Sequence, residues 1–277
     1  MNFCHIVPTP HLDLVKGRKH HLTLAHLIEE NEEYTEFYRN ESELGAEIIM
    51  DNSAFEMYKQ GRPMYDSDKL IEMGERIDAD YIALSDYPDE NSMKTITAAV
   101  QYAPKFQEAG FGTFFIPQSK IGDLDDLMMA YMWAVNSDLV DYIGFSILAI
   151  PNAYDVEKGN KLQRFASRTM FCELLDRVGF WEAAVKNKKK IHFLGMVDGP
   201  NEIFYAKKWP VHTWDSSAGA WAGLNDIIFD GSPTGMLNGK FEKEVDFNFK
   251  TTDKELINKA IDNMGYIDEI ANPLQVQ

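Results

Sequence analysis

The chain has 277 residues, 45% hydrophobic and 26% charged, enough for one large α/β barrel or two modest domains and unlike a disordered or fibrous protein. With 27 basic against 44 acidic residues its net charge is −17, which argues against broad affinity for nucleic acid, because that depends on many Lys and Arg contacts to phosphate. No apolar run is long enough to cross a bilayer, Met1-Asn2-Phe3-Cys4-His5 does not open a secretory leader, and Cys4 and Cys172 are the only cysteines, so a cytoplasmic protein with reduced thiols is expected.

Short apolar runs alternate with amphipathic stretches along the whole chain, the pattern of βαβ units in a parallel sheet. Strands are predicted at Phe3 to Val7, Glu47 to Met50, Tyr81 to Leu84, Thr113 to Ile116, Tyr142 to Ser146, Ile191 to Leu194 and Val211 to Trp214. Most are apolar on consecutive positions, as strands covered on both faces are. Ser67 is placed as the cap of a helix that carries Leu70, Ile71, Gly74 and Ile77 on one face, and Ser92 as the cap of another. Leu124 to Val135 and Arg164 to Val178 read as helices, Pro200 opens a short one running to Lys208, and Asp253 to Met264 is a further amphipathic helix.

Seven strands in strict alternation with helices favour a closed (β/α)8 TIM-type barrel over an open doubly wound sheet, although an eighth strand is not evident. Residues 1–277 are read as one domain ending in a helical tail at about 250–277, since no repeat, low-complexity tract or linker interrupts them. No Gly-x-Gly-x-x-Gly turn or Walker-type loop follows a strand, which weakens any dinucleotide or NTP reading, and no cofactor is expected.

In such a barrel the residues after each strand converge on one mouth. They are Asp51-Asn52-Ser53, Ser85-Asp86, Pro117-Gln118-Ser119, Gly144-Phe145-Ser146, Gly195-Met196 and Asp215-Ser216-Ser217, a set that is small, polar and able to form hydrogen bonds. Asp and Asn at these places also serve as helix caps and turn formers. Asp89 and Glu90 read as first-turn helix acids. His5, His11, His20, His21 and His26 show no metal-ligand spacing and read as surface or packing residues, and no metal site is expected. His192 alternates into a strand and reads as a core histidine. Two basic clusters, Lys16 to His21 and Lys186 to Lys190, bear on nucleic-acid binding only if they share a rim with Asp215.

The order Asp51-Asn52-Ser53-Ala54-Phe55, Asp86, Ile116-Pro117-Gln118-Ser119, Ile143-Gly144-Phe145, Leu194-Gly195 and Trp214-Asp215-Ser216 resembles the tRNA-guanine transglycosylase superfamily over residues 48 to 220. The resemblance implies a (β/α)8 barrel and a pentosyltransferase that exchanges guanine for a 7-deazaguanine such as preQ0. It makes Asp215 the nucleophile at C1′ and Asp51 the acid/base group. Asp86, Gln118 and backbone groups at Gly144 and Phe145 would read the base, with Ser53, Phe55, Ser119, Gly195 and Ser216 lining the site. The family's Asp-Ser-Gly-Gly-Phe is here Asp51-Asn52-Ser53-Ala54-Phe55, the Pro-Thr-Arg after the nucleophile is absent, and no cysteine beyond Cys172 can complete the family's zinc site. Without that tRNA-holding extension the chain looks closer to phage and bacterial relatives that modify DNA to evade restriction, in the host cytoplasm if phage-encoded. DNA is thus the expected partner, with tRNA the alternative, and a homodimer is compatible. The rivals are a free-nucleoside enzyme, an N-glycoside hydrolase, and an inactive subunit of a modification complex.

Overall fold

The computed structural model describes residues 1–157, 160–196, 199–230, 235 and 244–272, so positions 273–277 of the expected tail lie outside the described residues. Eight parallel strands form one sheet in the order β1-β8-β7-β6-β5-β4-β3-β2. They are β1 (Asn2–His5), β2 (His20–Leu24), β3 (Glu47–Asp51), β4 (Tyr81–Ala83), β5 (Gly112–Phe115), β6 (Tyr142–Ser146), β7 (Lys190–Leu194) and β8 (Thr213–Ser216). β1 and β2 lie side by side without a hydrogen-bonded ladder, so the sheet curls into a nearly closed TIM-type barrel with helices outside.

The eighth strand is β2, which in the sequence presents only a basic, histidine-rich stretch. Its pattern His20-His21-Leu22-Thr23-Leu24 lacks a continuous apolar run, yet it pairs residue for residue with β3, from His20 against Glu47 to Leu24 against Asp51. His21 is buried against Tyr38 and Glu41 of the helix Glu32–Glu43, which supplies the ring and charge contacts that an aliphatic strand would not need.

Two helix starts also move by one residue. Asp66 caps Ser67–Ile77 by accepting from the Lys69 N–H, and Asn91 caps Ser92–Glu108 by accepting from the Met93 N–H. Asp and Asn outcompete the adjacent Ser because their side-chain oxygens reach the first-turn N–H groups. Asp89 and Glu90 precede this helix and are not in its first turn. Asp89 instead sits at φ 61° and accepts from Asn152 Nδ2 at 2.7 Å.

Strand alternation divides the core. Phe145 packs outward, stacked on Phe193 and Trp181 at 5.0 and 5.3 Å between centroids, while Tyr142 and Phe114 point into the barrel around His192. The final helix, Lys254–Ala271, closes the barrel wall against Ala218–Leu224, and at Gly223 the two backbones meet. A Cβ there would lie 2.3 Å from the Ala260 nitrogen. Among the described residues no helix is long and apolar enough to cross a membrane.

Gly223→Ala should therefore cost about 1–3 kcal/mol, because backbone cannot yield as a side chain does. Gly265→Ala, in the same final helix with nothing within 4 Å of the new Cβ, should instead gain up to about 1 kcal/mol. Denaturant midpoints of the two variants check this; equal shifts would refute the close approach.

Candidate active site

Each strand end delivers its residue to the same mouth. Asp51 closes β3, and the chain then turns through Ser53, a non-glycine residue at φ 57° and ψ 31°. That left-handed conformation is uncommon for a side-chain-bearing residue and is secured here by burial and by a 2.9 Å bond between the Ser53 hydroxyl and His26 Nδ1. Asn52 points the other way: its amide donates to the Leu84 carbonyl at 2.6 Å and to Asp86 Oδ1 at 2.8 Å. Gln118 Nε2 donates to the other Asp86 oxygen at 2.5 Å. Asn52, Asp86 and Gln118 thus form one buried hydrogen-bonded cluster from three strand ends.

Asp215 reaches the mouth from β8. His192 of β7 lies opposite Thr213 in the ladder, so Asp215, two residues on, presents its carboxylate to the same ring. His192 Nε2 lies 2.9 Å from Asp215 Oδ1, and the Gly195 N–H donates to that same oxygen at 3.3 Å. Gly195 adopts φ 71°, which turns its N–H inward, while its carbonyl accepts from Arg168 Nη2 and Trp214 Nε1 at 2.9 and 2.8 Å. Arg168, fully buried and paired with Glu202, also grips the Phe145 and Leu194 carbonyls, tying the ends of β6 and β7 together.

The electrostatics follow from crowding. Burial pushes the Asp51 carboxyl well above the usual range, and the charges of Glu56, Asp86 and Asp215 push it further. Asp86 is raised by burial to about 6, against the opposing bonds from Asn52 and Gln118. Glu56, half-buried on the helix Ala54–Gln60, is also raised by burial, with a further push from Asp215. Asp51 keeps part of its surface open to solvent, so this is a mouth and not a sealed core. Among the described residues no group of three His, Cys, Asp or Glu side chains is arranged to hold a metal ion.

Other residues singled out from the sequence fall around this centre in different ways. Phe55 stands 45% exposed on the helix that follows Asp51. Ser119 is buried with its hydroxyl donating to the Lys120 carbonyl, and Ser216 Oγ accepts from the Ala218 N–H. Gly144 lies within β6, where an added Cβ would meet Leu194 at 2.7 Å, and its carbonyl accepts from Tyr131. The Phe145 ring belongs to the outer aromatic layer and its carbonyl is taken by Arg168, so neither carbonyl stands without a partner.

Sequence reasoning gives no separate role to Asn52, Glu56 or Arg168, and does not reveal the tie of His192 to Asp215. Strand parity carries part of the signal, since 192, 213 and 215 all fall on inward positions. Arg168 has no signal beyond being a cation on an amphipathic helix.

The two basic clusters lie at the other end of the barrel, because Lys16 to His21 leads into β2 and Lys186 to Lys190 leads into β7. Lys189 is held by the Ser137 and Val140 carbonyls, Lys190 by Glu47, and Arg18 by Asp268. A groove of about 850 Å³ between segments 9–16 and 33–44 is lined by none of Asp51, Glu56, Asp86 and Asp215.

Comparison with known proteins found no family model that matches the chain and no curated protein that matches it.

A carboxyl whose folded-state pKa is raised favours folding when protonated, and that advantage fades as pH rises from about 4 through the folded value. Asp51→Asn cannot ionise, so it should be more stable than the wild type at pH 8, by on the order of 1 kcal/mol, with the difference closing towards pH 4. Urea midpoints across this range are the measurement; a variant less stable at pH 8 would contradict the crowding.

Proposed function

We propose that the protein is a base-exchange transglycosylase that replaces guanine in DNA by a 7-deazaguanine through a covalent aspartyl-sugar intermediate. One observation carries this reading: a pair of carboxyl groups at a single barrel mouth sits in opposed environments. Asp51 is driven towards its protonated form by burial and like charge, whereas Asp215 accepts hydrogen bonds from His192 and the Gly195 N–H. Such a difference in surroundings is what the separate roles of acid and nucleophile require.

In the first step Asp215 attacks C1′ of the sugar, and the C1′–N9 bond breaks with its electron pair leaving on guanine. Asp51 supplies the proton that neutralises the departing base. In the second step Asp51, now a carboxylate, takes the proton from the incoming base as that base displaces Asp215. Asp86, Gln118 and Asn52 offer the carboxylate and amide groups that match a guanine edge. In the free protein they bond to one another, so a base entering here exchanges those bonds for its own.

The opposite-end position of both basic clusters supports a second reading, in which the donor is a free nucleoside. A polynucleotide reaching Asp215 would not lie on Lys16 to His21 or Lys186 to Lys190, so its affinity would need other contacts.

Incubation with guanine-labelled duplex DNA, single-stranded DNA, tRNA and guanosine, each with preQ0, tests both. Release from DNA supports the first reading and release from guanosine alone the second; release from none removes both. Asp215→Ala should abolish exchange and covalent capture, a loss of at least about 10³-fold, and Asp51→Asn should lower exchange by roughly 10²–10⁴-fold with an unchanged circular dichroism spectrum. Full exchange by either variant would strip that residue of its role.

A further inference from the structure

We propose that His192 is the positioning residue for the nucleophile: with the Gly195 N–H it occupies Asp215 Oδ1, leaving Oδ2 as the oxygen that attacks the sugar. This rests on the reading of Asp215 as nucleophile.

Both hydrogen bonds to Asp215 fall on Oδ1, at 2.9 Å from His192 Nε2 and 3.3 Å from the Gly195 nitrogen, and among the described residues Oδ2 accepts none. The imidazole is fully buried and cannot swing. Its Nδ1 is 2.7 Å from Thr213 Oγ1, and the Phe114 ring meets it edge-on at 5.4 Å. Behind Thr213, the Tyr142 hydroxyl stands 3.2 Å from the same Oγ1, which holds that hydroxyl in place. A nucleophilic carboxylate has no proton to give, so in the attacking state Nε2 carries the one shared with Oδ1.

The chemistry balances with His192 unchanged. A lone pair of Oδ2 forms the bond to C1′ while the C1′–N9 pair leaves with the base, which takes the Asp51 proton. Oδ1 becomes the ester carbonyl and still accepts from Nε2 and from Gly195. When the incoming base displaces Oδ2, the electron pair returns to Asp215 and the proton of that base passes to Asp51. The ring neither gains nor loses a proton; it holds the carboxylate plane so that one oxygen faces the sugar.

Gln and Asn substitutions separate this from a packing role. His192→Gln places an amide N–H near the position of Nε2, and His192→Asn places one near Nδ1 only. Exchange of guanine for preQ0 is measured with guanine-labelled DNA, tRNA and guanosine. His192→Gln should keep kcat within about tenfold of wild type. His192→Asn should lose about 10²-fold in kcat with little change in KM, since the substrate-binding groups are untouched. Should His192→Asn fail to fold, Thr213→Val removes the hydroxyl that supports the ring, together with its bond to Tyr142, and a fall of roughly tenfold in kcat is expected. An active wild type with equal kcat in the Asn and Gln variants, or an unchanged kcat in Thr213→Val, overturns the positioning role and leaves the exchange reading standing. A wild type that releases guanine from no substrate overturns the exchange reading, and the positioning role with it.

Discussion

Burial and like charge together oppose ionisation of the carboxyl groups at the mouth, and much of the local structure answers that constraint. Moving a carboxylate out of water is costly unless hydrogen bonds replace its hydration, and each neighbouring charge adds to the cost. Asp86 is compensated by two amides and Asp215 by a ring and a backbone N–H. Asp51 has only the Ser53 N–H against the combined push of burial and three neighbours, so its carboxyl is held well above the usual range. This arrangement weakens the fold, since burial and like charge both oppose ionisation of Asp51.

The rest of the barrel positions those acids. Tyr142, His192, Thr213 and Asp215, inward on β6, β7 and β8, form a continuous polar column where a barrel interior is usually aliphatic. Outside the strands, Arg168 binds three carbonyls at the ends of β6 and β7 while its charge is answered by Glu202 and by the faces of Phe193 and Trp214. The cation is buried, but every direction it points in has a partner, which is the condition under which burying it is tolerated. The Gly195 peptide, which bonds Asp215 on one side, is thereby pinned on the other.

At the N-terminal end of β7, Lys189 is held by the Ser137 and Val140 carbonyls and Lys190 by the Glu47 carboxylate. Burial alone would raise the Glu47 carboxyl, yet its bonds from His20 and Lys190 bring it down to about 2, the reverse of the Asp51 case in the same strand. One strand thus carries a carboxyl lowered by cations at its foot and one raised by burial and neighbouring acids at its tip.

Much of this was legible in the residues. Seven of the eight strands announced themselves as apolar runs, and Asp51, Asp86, Gln118 and Asp215 stood where those runs ended. β2 did not, because its hydrophobic signal is diluted by His20, His21 and Thr23, and only its pairing with Glu47–Asp51 makes it a strand. Local pattern determines where strands end and which side chains are delivered there. It says nothing of which neighbour each will meet. The 192–213 register, the shared oxygen on Asp215, the grip of Arg168 and the opposite-end position of the lysine clusters are relations between distant segments. Tertiary structure alone decided them, since register and closure are set by the packing of the whole barrel and not by any one stretch of chain.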